Sequence, residues 1–152
     1  MASVNAPGQV VVSGPVEGVE RAVSVLAERG VRVRRLAVSH AFHSPLVEPM
    51  LAEFGRVLES VEFRIPVIPA VSNVTGTWVD PEEWRSPEYW VRQVREPVRF
   101  AEGVGTLLEA GVSAFLELGP SGAHAAMVAH CADAAGVPVT AVPLLRPDHD
   151  DV

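Results

Sequence analysis

The run Ala114-Phe115-Leu116-Glu117-Leu118-Gly119-Pro120-Ser121-Gly122 carries the clearest change of secondary structure in the chain. Ala114 to Leu118 reads as a buried strand, broken by Gly119-Pro120. An Ala-rich helix follows from Gly122 to Ala135, and Val137 to Leu145 reads as a last strand. The same alternation opens the chain. Gln9 to Ser13 is β-rich, and Pro15 suits a first helical position. Glu17 and Glu20 lie in the early turns, and Val19, Val23 and Leu26 mark an apolar face. Arg29-Gly30 ends that helix, and Val31, Val33 and Leu36 predict a second strand ending near Val38. Residues 4–38 thus read as a strand–helix–strand unit of ferredoxin-like size.

Between these ends lies Ser39-His40-Ala41-Phe42-His43-Ser44-Pro45, followed by helical spacing at Val47, Met50, Leu51, Phe54, Val57 and Leu58. Pro49 places the regular start of that helix near itself. Val61, Phe63 and Ile65 alternate like a strand, Pro66 and Pro69 interrupt the next apolar run, and Ser72 to Gly76 reads as a turn. Asp80-Pro81-Glu82-Glu83 and Ser86-Pro87-Glu88 both have the form of a helix N-terminus: cap, proline, acid. Phe100 to Ala110 predicts a further helix, stopped by Gly111. The alternation places the chain in the α/β or α+β classes. The polar tail from Arg146 to Val152 reads as frayed or as the start of a linker.

Composition narrows the function. The 152 residues are 48% hydrophobic and 20% charged, with a mean hydropathy of +0.22, which suits one compact domain. No run approaches the roughly 18 to 20 apolar residues of a membrane span. The start, Met1 to Val12, has no secretory pattern, so a cytoplasmic protein is expected. The single Cys131 excludes an internal disulfide and a cysteine-only zinc site. A net charge of −7 argues against nucleic acid. All 12 basic residues are Arg and lie scattered, a mark of genome composition more than of an anion-binding surface.

Chemistry points first to histidine. Of five, His40 and His43 sit in a loop between a strand and a proline-started helix, where scaffolds place reactive groups. Read bare, such a histidine is more often a surface or capping residue. Their spacing of three suits one face of a helical turn and hence zinc, but nothing nominates a third ligand, so no metal site is assigned. Gly119-Pro120-Ser121-Gly122-Ala123 approaches the hydrolase elbow Gly-x-Ser-x-Gly but ends in Ala and carries Pro where the strained turn must fold. It reads better as a turn whose Ser121 caps the next helix. Cys131 reads as inert core.

Several blocks, in order, resemble the acyltransferase domain of modular type I polyketide synthases. They are His40-Ala41-Phe42-His43-Ser44-Pro45 with Glu48-Pro49-Met50, Val71-Ser72-Asn73-Val74-Thr75-Gly76, Tyr89 through Phe100, and Phe115-Leu116-Glu117-Leu118-Gly119-Pro120. Val4 to Gly14 and Gly30 to Ser39 resemble its small ferredoxin-like subdomain, so the likeness spans residues 4–146.

The resemblance implies an α/β fold: a ferredoxin-like small subdomain at 4–38, the C-terminal part of an α/β-hydrolase-like large subdomain at 39–146, and a tail at 147–152. It implies transfer of a malonyl group from coenzyme A, through an acyl-serine, to the phosphopantetheine thiol of an acyl carrier protein, with no bound cofactor. His43 would be the general base, oriented by the backbone carbonyl of Gln93. His40 and Phe42 would bind substrate, since His40-Ala41-Phe42-His43 resembles the malonyl-selective motif and the methylmalonyl version carries Tyr-Ala-Ser-His. Phe42 would fill the room an α-methyl needs.

The family's Gly-His-Ser-x-Gly elbow, its carboxylate-binding Arg and its N-terminal oxyanion-hole residue find no counterpart in these residues. The resemblance therefore implies the C-terminal portion of the domain, with Met1-Ala2-Ser3 as an artificial or new start. It would be inactive alone, with the missing N-terminal half and the carrier protein as partners. A non-catalytic carrier-protein docking module is the alternative, and a hydrolase using Ser121 and His43 a weaker third.

Overall fold

The computed structural model describes residues 1–119 and 121–145. Strands β1 (Ser3–Ala6) and β2 (Gln9–Val11) form an antiparallel hairpin, followed by helix α1 (Val16–Glu28). A 3-10 turn at Pro45–Val47 leads into α2 (Glu48–Leu58), as Pro49 required. Then come α3 (Pro81–Trp84), α4 (Pro87–Arg95), α5 (Phe100–Glu109), β3 (Ala114–Glu117), α6 (Ala123–Ala135) and β4 (Thr140–Pro143). The expected caps form: Asp80 accepts the N–H groups of Glu82 and Glu83, and Ser86 accepts that of Tyr89.

β3 and β4 are parallel, with Phe115 beside Ala141 and Leu116 beside Val142. Their inner face meets a core of Ala6, Val104, Val128 and Cys131, with Phe100, Leu108, Phe115 and Ala141 packed around it. This core joins β1, α5, α6 and the β3–β4 pair. β1, although inside the expected 4–38 unit, packs against α5 and α6. It is also tied to the segment after α4, because Val4 N–H donates to the Val98 carbonyl at 3.0 Å and Val98 N–H to that of Ala2 at 2.8 Å.

Two expected strands are absent. Residues 31–38 and 61–65 carry strand-like side chains but form no regular strand. A strand exists only where a neighbour completes its hydrogen bonds, and no described residue pairs with either segment. Val31, Val33, Leu36 and Val38 are left exposed. The 4–38 region is thus a hairpin and a helix, not strand–helix–strand.

The turn before α6 also differs. The N-cap is Gly122, at φ +69°, and Ser121 stands exposed. A Cβ at Gly122 would lie 3.2 Å from Pro143 in left-handed backbone, so glycine is required. Glu117 supplies the cap instead, accepting the Ala125 N–H at 2.8 Å. Pro120 and the tail from Arg146 lie outside the described residues. No described helix is long and apolar enough to cross a membrane.

Candidate active site

Ser44 builds the loop that carries His43. Its side chain is 2% exposed; the hydroxyl donates to the Ala41 carbonyl at 2.7 Å and accepts the Leu46 N–H at 3.2 Å. That clasp starts the 3-10 turn at Pro45 and forces the chain through a tight bend. At the bend His43 takes φ +55°, the only non-glycine residue with positive φ among those described. A residue with a Cβ avoids this region unless its surroundings impose it.

The C-terminal end of α4 supplies what holds His43. Glu96 precedes Pro97 and is extended, at φ −80° and ψ 156°, so the helix stops there. Carbonyls at a helix end lack intrahelical partners. Two of this segment's carbonyls take theirs from His43: the Val94 carbonyl accepts its backbone N–H at 3.3 Å, and the Glu96 carbonyl lies 2.9 Å from its Nδ1. A carbonyl can only accept, so Nδ1 carries a proton; in the tautomer this selects the lone pair lies on Nε2, which no described residue hydrogen-bonds. The orienting carbonyl is therefore that of Glu96 and not that of Gln93. Gln93 lies inside α4, where a carbonyl runs along the helix axis. Glu96 has left the helix, which turns its carbonyl toward the loop.

α4 is fixed from both sides. Buried Tyr89 shares a 2.7 Å hydrogen bond with Ser72 in the preceding turn. Trp90 Nε1–H donates to the Trp84 carbonyl at 2.9 Å, and the rings of Trp84, Tyr89 and Trp90 stack edge-on or tilted. At the far end, Arg95 Nε–H donates to Glu48 at 2.9 Å, joining the end of α4 to the start of α2 across the His43 loop.

His40 and Phe42 are exposed on the part of the loop that leads into His43. Their rings lie 5.9 Å apart, and Phe42 is 49% exposed. His40 Nδ1 meets its neighbour Ser39 at 3.0 Å. No three His, Cys, Asp or Glu side chains gather as metal ligands among the described residues. No hydrogen bond joins Ser121 to His43 there either. Cys131 is buried, burial pushes its thiol pKa up, and its Sγ–H points at the Asn5 carbonyl. Glu117 went unrecognised in the sequence. The amide of Ala125 first, and then His124 at 3.2 Å, hold its carboxyl below the usual carboxylate range. The available signal was a lone acid in the apolar strand Phe115-Leu116-Glu117-Leu118.

The model of the acyl transferase domain matches residues 1–152. The chain belongs to the acyl transferase domain family. Polyketide synthase GfsB of Streptomyces halstedii is 49% identical over 99% of this chain, which spans 3% of that protein. Spectinabilin polyketide synthase system protein NorB of Streptomyces orinoci is 50% identical over 86% of this chain, 6% of its own length. Among solved structures, the acyltransferase domain from the second module of the salinomycin polyketide synthase superposes with a TM-score of 0.86 at 47% identity. The alignment covers 97% of this chain and 34% of that one. Malonyl-CoA:acyl carrier protein transacylase of Xanthomonas oryzae pv. oryzae gives 0.84 at 31% identity, covering 96% of this chain and 45% of its own. This acyl transferase chain thus spans a few per cent of its polyketide synthase relatives and less than half of the solved acyltransferases. The sequence resemblance and the acyltransferase class it implied both hold.

Proposed function

We propose that this chain is the base-bearing part of an acyltransferase that loads a malonyl extender onto an acyl carrier protein. The observation that carries the reading is His43: strained into left-handed backbone, with Nδ1–H given to the Glu96 carbonyl and Nε2 hydrogen-bonded to no described residue. In the first half-reaction Nε2 takes the proton of a serine hydroxyl as its oxygen attacks the malonyl thioester carbon. The tetrahedral adduct expels the coenzyme A thiolate, which receives that proton from the imidazolium. In the second, Nε2 takes the proton of the phosphopantetheine thiol as its sulfur attacks the acyl-serine, and returns the proton to the departing serine oxygen. A neutral carbonyl on Nδ1 keeps the ring in the tautomer that both steps need.

The serine belongs to the part of the domain without a counterpart here, since Ser121 stands exposed beside a glycine-capped helix and no hydrogen bond among the described residues joins it to His43. Phe42, with His40 beside it, selects malonyl by occupying the space of an α-methyl, and rejection by overlap can exceed the ~1–3 kcal/mol worth of one methylene. The test is intact mass after incubation with malonyl- or methylmalonyl-coenzyme A. The chain alone gains no acyl group. Joined to the serine-bearing remainder, it yields a malonyl-serine adduct that His43→Ala slows by about 10²–10⁴-fold. An adduct on Ser121 of the isolated chain, or equal loading of both thioesters in the joined domain, overturns the reading.

A further inference from the structure

Arg95 stands between the two carbonyls that hold His43. It is the last residue of α4, with Val94 before it and Glu96 after it. Its Nε–H donates to Glu48 Oε1 at 2.9 Å, across 47 positions of the chain. Glu48 is the first residue of α2 and closes the 3-10 turn, its own N–H donating to the Pro45 carbonyl. The same two segments are therefore tied twice, by His43 to Val94 and Glu96 and by Glu48 to Arg95. Each charge also suits its place, a carboxylate in the first turn of α2 and a guanidinium in the last turn of α4. Other contacts do not supply this tie. Burial of Val47 holds the 3-10 turn down, but apolar packing has no direction. Arg92, one turn earlier, pairs with Glu83 and, at 3.4 Å, with Glu96 of its own segment. Those pairs steady Glu96, and neither crosses to the His43 loop.

We infer that Arg95 and Glu48 are positioning residues for the proton-transfer site: their ion pair holds the loop where the Glu96 carbonyl meets Nδ1, and so selects the ring tautomer with its lone pair on Nε2. The inference rests on the acyltransferase reading above, which gives that lone pair its task. Neither side chain hydrogen-bonds the ring; the pair acts through the backbone it ties. His43 sits at φ +55°, a conformation that persists only while its surroundings impose it. The bonds that do so are few: the Ser44 clasp within the loop, and the Val94 and Glu96 carbonyls across it. The crossing bonds need the loop and the end of α4 in register. An ion pair with a donated N–H has a direction, so it can hold that register. The pair is partly exposed, 32% at Arg95 and 55% at Glu48, so it adds little to overall stability. Its effect falls on the loop, where a small bias decides between two ring tautomers. An imidazole in water favours the proton on Nε2, and the Glu96 carbonyl reverses that preference only while it stays within reach.

The test is ring-nitrogen NMR of labelled histidine in the full 152-residue chain, at about pH 9, where histidine rings are neutral. His43→Ala identifies the His43 signals by their loss. In the parent chain Nδ1 should read as the protonated nitrogen of that ring. Arg95→Gln and Glu48→Gln should each shift the tautomer ratio toward Nε2–H by about two- to fivefold, the range of a partly exposed ion pair. The double variant should shift it no further than either single one, because the two side chains act as a unit. Arg35→Gln breaks another surface pair, with Glu20, and should leave the ratio as it was. The ratio reports the folded state, so a merely lowered stability does not move it. Adding about 1 M salt to the parent chain, where the screening length falls to about 3 Å, should shift the ratio in the same direction without any variant. A ratio unmoved by salt and by both single variants overturns the inference. So do additive shifts in the double variant, or an equal shift in Arg35→Gln. If the ring responds as expected and the intact-mass test above yields no malonyl-serine, the clamp stands and the acyl-transfer reading falls.

Discussion

His43 sits at φ +55°, where an L-residue meets a cost of about 1–2 kcal/mol that glycine escapes. Two kinds of contact impose the geometry: the Ser44 clasp inside the loop and the Val94 and Glu96 carbonyls outside it. Removing the ring loses the Glu96 bond in any variant, so comparing two small replacements isolates the backbone. His43→Gly should be more stable than His43→Ala by about 1 kcal/mol, the reverse of their order in a helix. Urea unfolding of both chains measures the difference, and equal midpoints would mean that the loop relaxes out of left-handed backbone once the ring is gone. The loop that carries His43 was legible from His40-Ala41-Phe42-His43, but the carbonyl its ring meets was not. A backbone acceptor depends on where a helix stops, which no side chain reports. The one usable clue was Pro97, which turns Glu96 out of the helix and leaves Gln93 inside it.

At the scale of elements, the helices were legible and the strands only in part. Asp80-Pro81 and Ser86-Pro87 are local signals, complete within four residues, and both caps formed. Residues 31–38 and 61–65 have strand composition, but a strand requires a distant neighbour that the described chain does not provide. The hairpin of β1 and β2 was half seen, as Gln9 to Ser13, since its other strand is short and only partly apolar. Glu117 shows a link between elements that composition hides: it reaches from β3 to cap α6, replacing the expected Ser121. Its folded-state pKa is lowered from the ordinary 4.5, first by the Ala125 amide and then by His124. The cap's contribution is therefore fully present above pH 4.5 and fades as pH falls through the lower folded value. Glu117→Gln should unfold at lower temperature than the parent chain at pH 7. The gap should narrow steadily on acidification below pH 4.5. A gap of constant size would show that the carboxylate charge contributes nothing to the cap.

Across the whole molecule, burial is uneven, and stability should follow it. Core residues cluster where β1, α5, α6 and the β3–β4 pair meet: Ala6, Val104 and Ala132 are 0%, 3% and 1% exposed. A second knot joins Tyr89 and Ser72 to the α2–α4 packing behind the His43 loop. α1, by contrast, buries no residue fully, and residues 29–40 beyond it are exposed throughout. Its apolar stripe of Val19, Val23 and Leu26 is only half-buried. Local opening costs least where few apolar contacts are lost. Native-state hydrogen exchange should therefore show the slowest amides in α5, α6 and β3. Those of α1 should exchange at least about tenfold faster, despite their equally regular helical hydrogen bonds. Addition of the serine-bearing remainder should slow α1 if that remainder completes the ferredoxin-like unit proposed for residues 4–38. Protection of α1 equal to that of α6 in the isolated chain would show that the small unit stands without a partner. The helix would then draw its stability from local propensity instead of packing.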